Sequence, residues 1–291
     1  MIVVRYAVIV CLMVVIAACS SQDPVAQGSG SNTNEIVRPT LDPANEGLVA
    51  RVNGEGIPLV VYDRELGRRL MGSSAADEAA LARQVIDTLI EQQLINQGAA
   101  SLGVVVTDEE VLAEIDGLKS LTNTWDQELM NQGYTEEEMV GAVRDALITQ
   151  RVRDQLLAPY LGSILQVNAR HIVVRTLQES EEVLSKLNNG EGFATLAAAY
   201  SIDTTTRETG GNLGWFARNE LFYANLEDVA FNLEIGQIAG PIATGLGYHI
   251  IQTMDKAERP VEPERMPMLS ESIFSNWLEE QYRNAMVERY M

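Results

Sequence analysis

Cysteine is nearly absent from this 291-residue chain. Its two copies, Cys11 and Cys19, fall within the first nineteen residues and none follows. That excludes a disulfide framework, a thiol nucleophile and a Cys-rich metal site from the body of the protein. Positive charge is scarce as well. Twenty-one Lys and Arg stand against 41 Asp and Glu, a formal net charge of −20. Nucleic acid is held by clustered cations that displace counterions, so no nucleic-acid partner is expected. The same deficit argues against a polybasic membrane-surface patch. Histidine occurs only at positions 171 and 249. No third and fourth ligand at suitable spacing accompanies them, so no metal is expected, and nothing implies a cofactor.

What is present suffices for a core: 46% of residues are hydrophobic, and the length suits one large domain or about two smaller ones. Residues 1–19 read as an export signal. Arg5 precedes an apolar run from Tyr6 to Ala18 that is short for a membrane span. The run ends Ile16-Ala17-Ala18-Cys19, which resembles the bacterial lipobox. That resemblance implies a lipid on Cys19 and a protein tethered to the extracytoplasmic side of a membrane, since two acyl chains hold where one does not. Residues 20–46, rich in Ser, Asn, Gly, Gln and Pro, read as a flexible tether.

Ordered structure is expected from Leu48. Val49–Val52 leads into Asn53-Gly54, a pair suited to a hairpin turn, with Ile57–Val61 as the return strand. Residues 79–100 place Val85, Ile86, Leu89, Ile90 and Leu94 at helical steps. Thr107-Asp108-Glu109-Glu110 reads as a capping box before Val111, Ile115, Leu118 and Leu121. Thr135-Glu136-Glu137-Glu138 repeats the signal before Val140, Val143 and Leu147. Near the end, residues 258–267 read as a Pro- and Glu-rich connector. Residues 269–290 read as a helix with Ile273, Phe274, Trp277, Leu278 and Tyr282 on its apolar face.

Between these parts both histidines sit in apolar, β-branched runs: Ala169-Arg170-His171-Ile172-Val173-Val174 and Gly247-Tyr248-His249-Ile250-Ile251. A solvent-seeking side chain needs a reason to be there. Between them come Tyr200-Ser201-Ile202-Asp203, Gly210-Gly211-Asn212-Leu213-Gly214-Trp215-Phe216 and Val229-Ala230-Phe231. In this order and spacing the segments resemble a parvulin-type peptidyl-prolyl cis/trans isomerase domain. Arg51-Val52-Asn53-Gly54-Glu55, Gly103–Val111 and Asn131–Thr135 resemble the N-terminal chaperone region of SurA- and PrsA-like foldases.

The resemblance implies an α+β architecture. A helical chaperone lobe over residues 47–165 would be completed by the C-terminal helix within residues 258–291, with a parvulin-like α/β domain inserted over residues 166–257. It implies paired inner histidines, His171 and His249, joined by Asp203, where relatives carry Cys or Asp, and by Thr244. It also implies an apolar proline pocket from Leu226 and Phe231, with Leu221 or Phe222 as the third wall. One departure stands out: Leu221-Phe222-Tyr223-Ala224-Asn225-Leu226 is one residue longer than the family's usual spacing and ends in Leu where Phe is usual. Glycines 210, 211 and 214 and Gly240-Pro241 read as turns rather than a phosphate loop. The segment after the first strand, Arg175–Ser180, holds one cation and a glutamate, which argues against phospho-Ser/Thr-Pro specificity.

The expected function is a membrane-anchored foldase. It would isomerise X–Pro bonds in unfolded or partly folded exported polypeptides while its helical lobe holds the chain. The alternative is a holdase chaperone whose parvulin domain is weak or inactive. A solute-binding lipoprotein would share the anchor but needs two α/β lobes, which the helix-rich first half does not supply.

Overall fold

The computed structural model describes residues 47–71 and 78–291. The export-signal, Cys19 lipidation and tether readings lie outside them. The described chain forms two compact units: residues through Val152 with Leu278–Met291, and Arg153–Trp277.

In the first unit β1 (Leu48–Val52) and β2 (Glu55–Pro58) form a hairpin. Asn53 and Gly54 take φ values of 52° and 88° at its turn, as a tight two-residue connection demands. The return strand is shorter than expected. Pro58 brings no N–H to the ladder, and residues 59–61 start a helix, α1 (Leu59–Leu70). Leu59, Tyr62 and Leu66 then pack on the core at steps of three and four. The helices α2 (Glu78–Ser101), α3 (Asp108–Lys119), α4 (Trp125–Gln132) and α5 (Glu136–Leu157) follow. Thr107 and Glu110 form a reciprocal capping box at α3. Thr135 and Glu138 exchange the same pair of bonds at α5. Val49, Val52, Val85, Ile86, Ile90 and Leu94 form one buried cluster; Val111, Ile115, Leu118, Met139 and Val143 form a second.

The second unit is a four-stranded antiparallel sheet of order β4-β3-β6-β5. Its strands are β3 (Ser163–Val174), β4 (Asn212–Phe216), β5 (Ile238–Thr244) and β6 (Gly247–Pro260). The helices are α6 (Leu177–Asn188), α7 (Phe193–Tyr200) and α8 (Ala224–Asn232). β3 and β6 pair along their whole length, from Ser163 opposite Pro260 to Val174 opposite Tyr248, with one register shift at Asn168/Ala169. Both strands overrun the 166–257 segment, so Glu258–Pro260 is sheet and not connector. Alternation along the strands gives each face its own core. Ile172, Val174 and Ile250 pack with Val183 of α6 and Phe193 and Leu196 of α7. Val167, Ala169 and Ile251 pack with Phe216 and with Leu226, Ala230 and Phe231 of α8. Gly240-Pro241 lies inside β5, at a register slip between Ala239 and Ile242, and is not a turn.

The final helix, α9, spans Met266–Asn284, not residues 269–290. Its first part places Leu269 and Ile273 in a cluster of the second unit with Ala217 and Val261. Leu278 and Tyr282 belong to the first unit's core. The chain then extends as β7 (Val287–Arg289), which pairs with β1. An open β1 edge offers unpaired backbone groups, and Val287 and Met291 gain burial by covering it.

A chain ending at Asn284 should therefore lose about 1–2 kcal/mol of first-unit stability, the order expected for two partly buried apolar side chains. The Asn53 amide, which donates to Met286, should lose its hydrogen-exchange protection. Unchanged protection at Asn53 would show that β7 adds nothing.

Candidate functional site

The β3–β6 register puts His171 opposite Ile251 and His249 opposite Val173. The two histidines are diagonal neighbours on one face, within side-chain reach. Their Nδ1 atoms lie 3.3 Å apart. His171 Nε2 is 2.8 Å from Asp203 Oδ2 and 3.2 Å from Thr206 Oγ1. His249 Nε2 is 2.8 Å from Thr244 Oγ1, at the end of β5. The structure thus brings together His171, Asp203, His249 and Thr244.

Local backbone contacts explain how Asp203 reaches the pair. The buried Ser201 hydroxyl accepts N–H groups from Val173 of β3 and from Asp203 itself. Ile202 donates to the Val173 carbonyl. The loop after α7 is therefore tied to the strand that carries His171. Thr205 donates both its N–H and its hydroxyl to Asp203 Oδ1, and Thr206 donates its hydroxyl to Oδ2 at 2.5 Å. The opposite edge of β3 needs glycine. The His171 N–H donates to the Gly211 carbonyl, and Gly211 holds φ of 80°, where an added Cβ would meet the His171 carbonyl oxygen at 2.0 Å.

One placement of protons satisfies these contacts with both rings neutral, the state that the depressed proton affinities of His171 and His249 favour. Burial would raise the Asp203 carboxyl, but hydrogen bonds from Thr205, Thr206 and His171 outweigh it and hold the group well below the usual carboxylate range. Ionised Asp203 can only accept. His171 therefore carries its proton on Nε2 and presents a bare Nδ1. His249 must donate from Nδ1, which leaves its Nε2 to accept from the Thr244 hydroxyl. Thr244 in turn accepts the Leu246 N–H. Both rings are neutral in this arrangement, and their burial agrees: His249 is 1% and His171 7% exposed. Burial pushes His171 down against the opposing pull of Asp203. Burial and then the neighbouring His171 push His249 down to about 4.

The expected pocket residues separate. Leu226 and Phe231 are buried in the α8 core with Phe216. Phe231 also lies edge-on to Phe216 and beneath the Arg218 guanidinium, so these two side chains belong to the packed core. Leu221 is partly buried at that cluster's margin, while Phe222 is 91% exposed. Tyr223, which the sequence reading passed over, packs its ring edge-to-face on His249 at 5.8 Å. Thr205 and Thr206 were passed over too. Their signal was the Asp203-Thr204-Thr205-Thr206 run, in which short hydroxyls follow an acceptor that they can reach locally. The loop before α8 is held by Glu227, a buried carboxylate that accepts the N–H groups of Asn219, Glu220 and Leu221 at 3.1–3.2 Å.

Both histidines charge at lower pH when folded than when unfolded. The unfolded chain thus binds more protons between about pH 6.5 and the His249 value of about 4. Stability is full above that window and falls as pH drops through it. Asp203, depressed in the folded state, adds a further loss below the ordinary carboxylate range. The imidazole signals of His249 should titrate near pH 4. Melting of the second unit should fall between pH 6.5 and 4 in the wild type, and less steeply in His249→Gln. A His249 midpoint at or above 6.5 would contradict the neutral pair.

Comparison with known proteins agrees with both halves of this description. The PPIC-type PPIASE domain family matches residues 171–255, and the SurA-like N-terminal domain family matches residues 3–153. The foldase protein PrsA of Geobacillus sp. (strain WCH70) is 33% identical over 190 residues, covering 62% of this chain and 66% of its own. The foldase protein PrsA of Halalkalibacterium halodurans is 29% identical over 255 residues, covering 87% and 72%. For three further PrsA relatives the match spans 58–62% of their length, so the chain spans less than two thirds of several relatives. The crystal structure of PrsA from Bacillus anthracis aligns at 24% identity with a TM-score of 0.45, covering 67% of this chain and 94% of that one. The chain belongs to the SurA-like N-terminal domain family, which matches more than half of it, and its residues 171–255 carry a PPIC-type PPIASE domain.

Proposed function

We propose that this protein is a membrane-anchored foldase that catalyses cis/trans isomerisation of X–Pro bonds in exported polypeptides. The observation that carries the reading is the continuous polar chain Thr244–His249–His171–Asp203, bordered by the aromatic Tyr223, inside the PPIC-type domain. The X–Pro bond differs little in energy between isomers, but its rotation is slow. Amide resonance sets the barrier, about 18–20 kcal/mol. No bond need break. A catalyst lowers the barrier by favouring the twisted amide, which is less charge-separated than the planar one. An apolar wall and fixed dipoles both act in that direction.

The exposures of His171 and His249 support a positioning role. Rings buried to this degree do not exchange protons with a peptide. They are positioning residues that fix one direction of hydrogen bonding beneath the site. Asp203 and Thr244, both partly exposed, and the ring of Tyr223 carry that order outward. Tyr223 and Leu221 supply the wall for the proline ring, with Leu226 and Phe231 behind them.

Exchange NMR or a protease-coupled assay on an Ala-Ala-Pro-Phe peptide tests this reading. The wild-type chain should accelerate isomerisation, and His171→Ala/His249→Ala should reduce kcat/KM at least tenfold. A wild type no faster than the double variant would leave the holdase alternative.

The anchor rests on Ile16-Ala17-Ala18-Cys19. Among the described residues no helix is long and apolar enough to cross a membrane. Cys19→Ala should shift the protein out of the membrane fraction, and globomycin should block processing of the wild type. A Cys19→Ala chain that still sediments wholly with membranes would overturn lipid anchoring.

A further inference from the structure

The loop between β4 and α8 carries an aromatic side chain that the network above does not use. Phe222 is 91% exposed. Single exposed apolar residues are common on protein surfaces. Phe222 differs in where it sits and in how firmly its backbone is held. Its ring lies edge-to-face on Tyr223, with centroids 4.9 Å apart at 90°. Tyr223 in turn lies edge-to-face on His249. On one side of Phe222 the Leu221 N–H is held by the buried Glu227 carboxylate. On the other the Tyr223 carbonyl accepts the N–H groups of Leu226 and Glu227. Asn225 ties the start of α8 to the Ala243 carbonyl of β5. An aromatic ring is thus kept in water by a fixed loop, two ring contacts from the buried histidine.

We infer that Phe222 forms a subsite for an aromatic or large aliphatic side chain flanking the proline of the peptide substrate. The inference rests on the prolyl-isomerase reading above and adds the sequence preference. The occupant follows from continuity with the site. An extended peptide advances about 3.3–3.6 Å per residue, so a chain whose proline lies against Tyr223 brings a residue within one to three positions over the Phe222 ring. Aromatic faces favour apolar and aromatic partners in offset or edge-on geometry. Tyr223 touches Phe222 only edge-to-face, which leaves the rest of the ring open for the substrate. The longer loop from Leu221 to Leu226 supplies this second aromatic layer beside the proline wall.

The size of an aromatic pair corresponds to a preference of about three- to tenfold in kcat/KM. The test uses the full chain and two peptide series, Ala-Ala-Xaa-Pro-Ala-Ala and Ala-Ala-Ala-Pro-Xaa-Ala, with Xaa as Ala, Leu, Phe or Glu, read by exchange NMR. The wild type should favour Phe and Leu over Ala in at least one series, mainly through KM. In Phe222→Ala the Phe-to-Ala ratio should collapse to near one, and Phe222→Trp should restore it. Equal ratios in wild type and Phe222→Ala, or a wild type with no preference, would overturn the subsite while leaving the isomerase reading intact. A wild type inactive on every peptide would overturn both. The melting temperature of Phe222→Ala should stay near that of the wild type, because the side chain covers almost nothing.

Discussion

One proton lies between Nδ1 of His249 and Nδ1 of His171, and the order of the whole site follows from where it rests. Two nitrogens 3.3 Å apart share one hydrogen; two would repel and none would leave both lone pairs facing. Ionised Asp203 takes the Nε2 proton of His171, and burial, which disfavours a charged ring, leaves Nδ1 to accept. The direction then runs without a break from the Leu246 amide through Thr244 and His249 to the carboxylate. A network satisfied at every member is rigid, and the low polarity around it strengthens each bond. The same low polarity makes any broken member costly. The threonines around Asp203 therefore matter as much as the histidines: their hydrogen bonds hold the carboxylate charged against the upward pull of burial.

That proton can be shared only because β3 and β6 are in register. A slip of one residue would turn one histidine to the α6–α7 face and separate the pair. Several contacts hold the ladder. The buried Thr253 hydroxyl donates to the Ala230 carbonyl and ties β6 to α8. The buried Gln166 amide donates to the carbonyls of Arg259 and Pro260 at the far end of the strand pair. Arg265 pairs with Glu220 and so joins this region to the loop that carries Leu221 and Tyr223. Strand register and the shape of the apolar wall are linked through a small set of side chains in one unit.

Much of this was legible in the sequence for a physical reason. Histidine is rare in this chain, and both copies stood in β-branched runs where water-seeking groups are out of place. The capping boxes at Thr107 and Thr135 follow from local hydrogen bonding within four residues, so they survive without knowledge of the fold. The missed features depend on contacts between distant residues. Val287–Arg289 is a strand only because β1 has an edge to cover. Residues 59–61 look like strand by composition, and their helix follows from Pro58 and the core that receives Tyr62. Helix α4 has eight residues, too few to show a period. Phe231 reads about equally well as pocket or core in the sequence, and the fold buries it with Leu226 against Phe216. Tyr223 reaches His249 through the longer loop, and nothing short of that loop's path reveals it.

On the proposed isomerase reading, the division between buried and exposed side chains also separates rate from selectivity. Rotation about a prolyl bond transfers no proton, so a catalyst needs a fixed electrostatic surface rather than a group that titrates. Neutral histidines with depressed proton affinity suit that need, since their charge state stays constant across neutral pH. What distinguishes one X–Pro sequence from another must lie where a side chain can be met, and the buried pair meets none. The loop before α8 connects these roles. Its backbone is fixed from beneath by Glu227, its Tyr223 rests on the histidine network, and its Phe222 stands in water. Under the proposed subsite, changes at Phe222 alter which peptides are favoured without disturbing the proton order below, whereas changes at Asp203 or Thr206 reach every substrate alike.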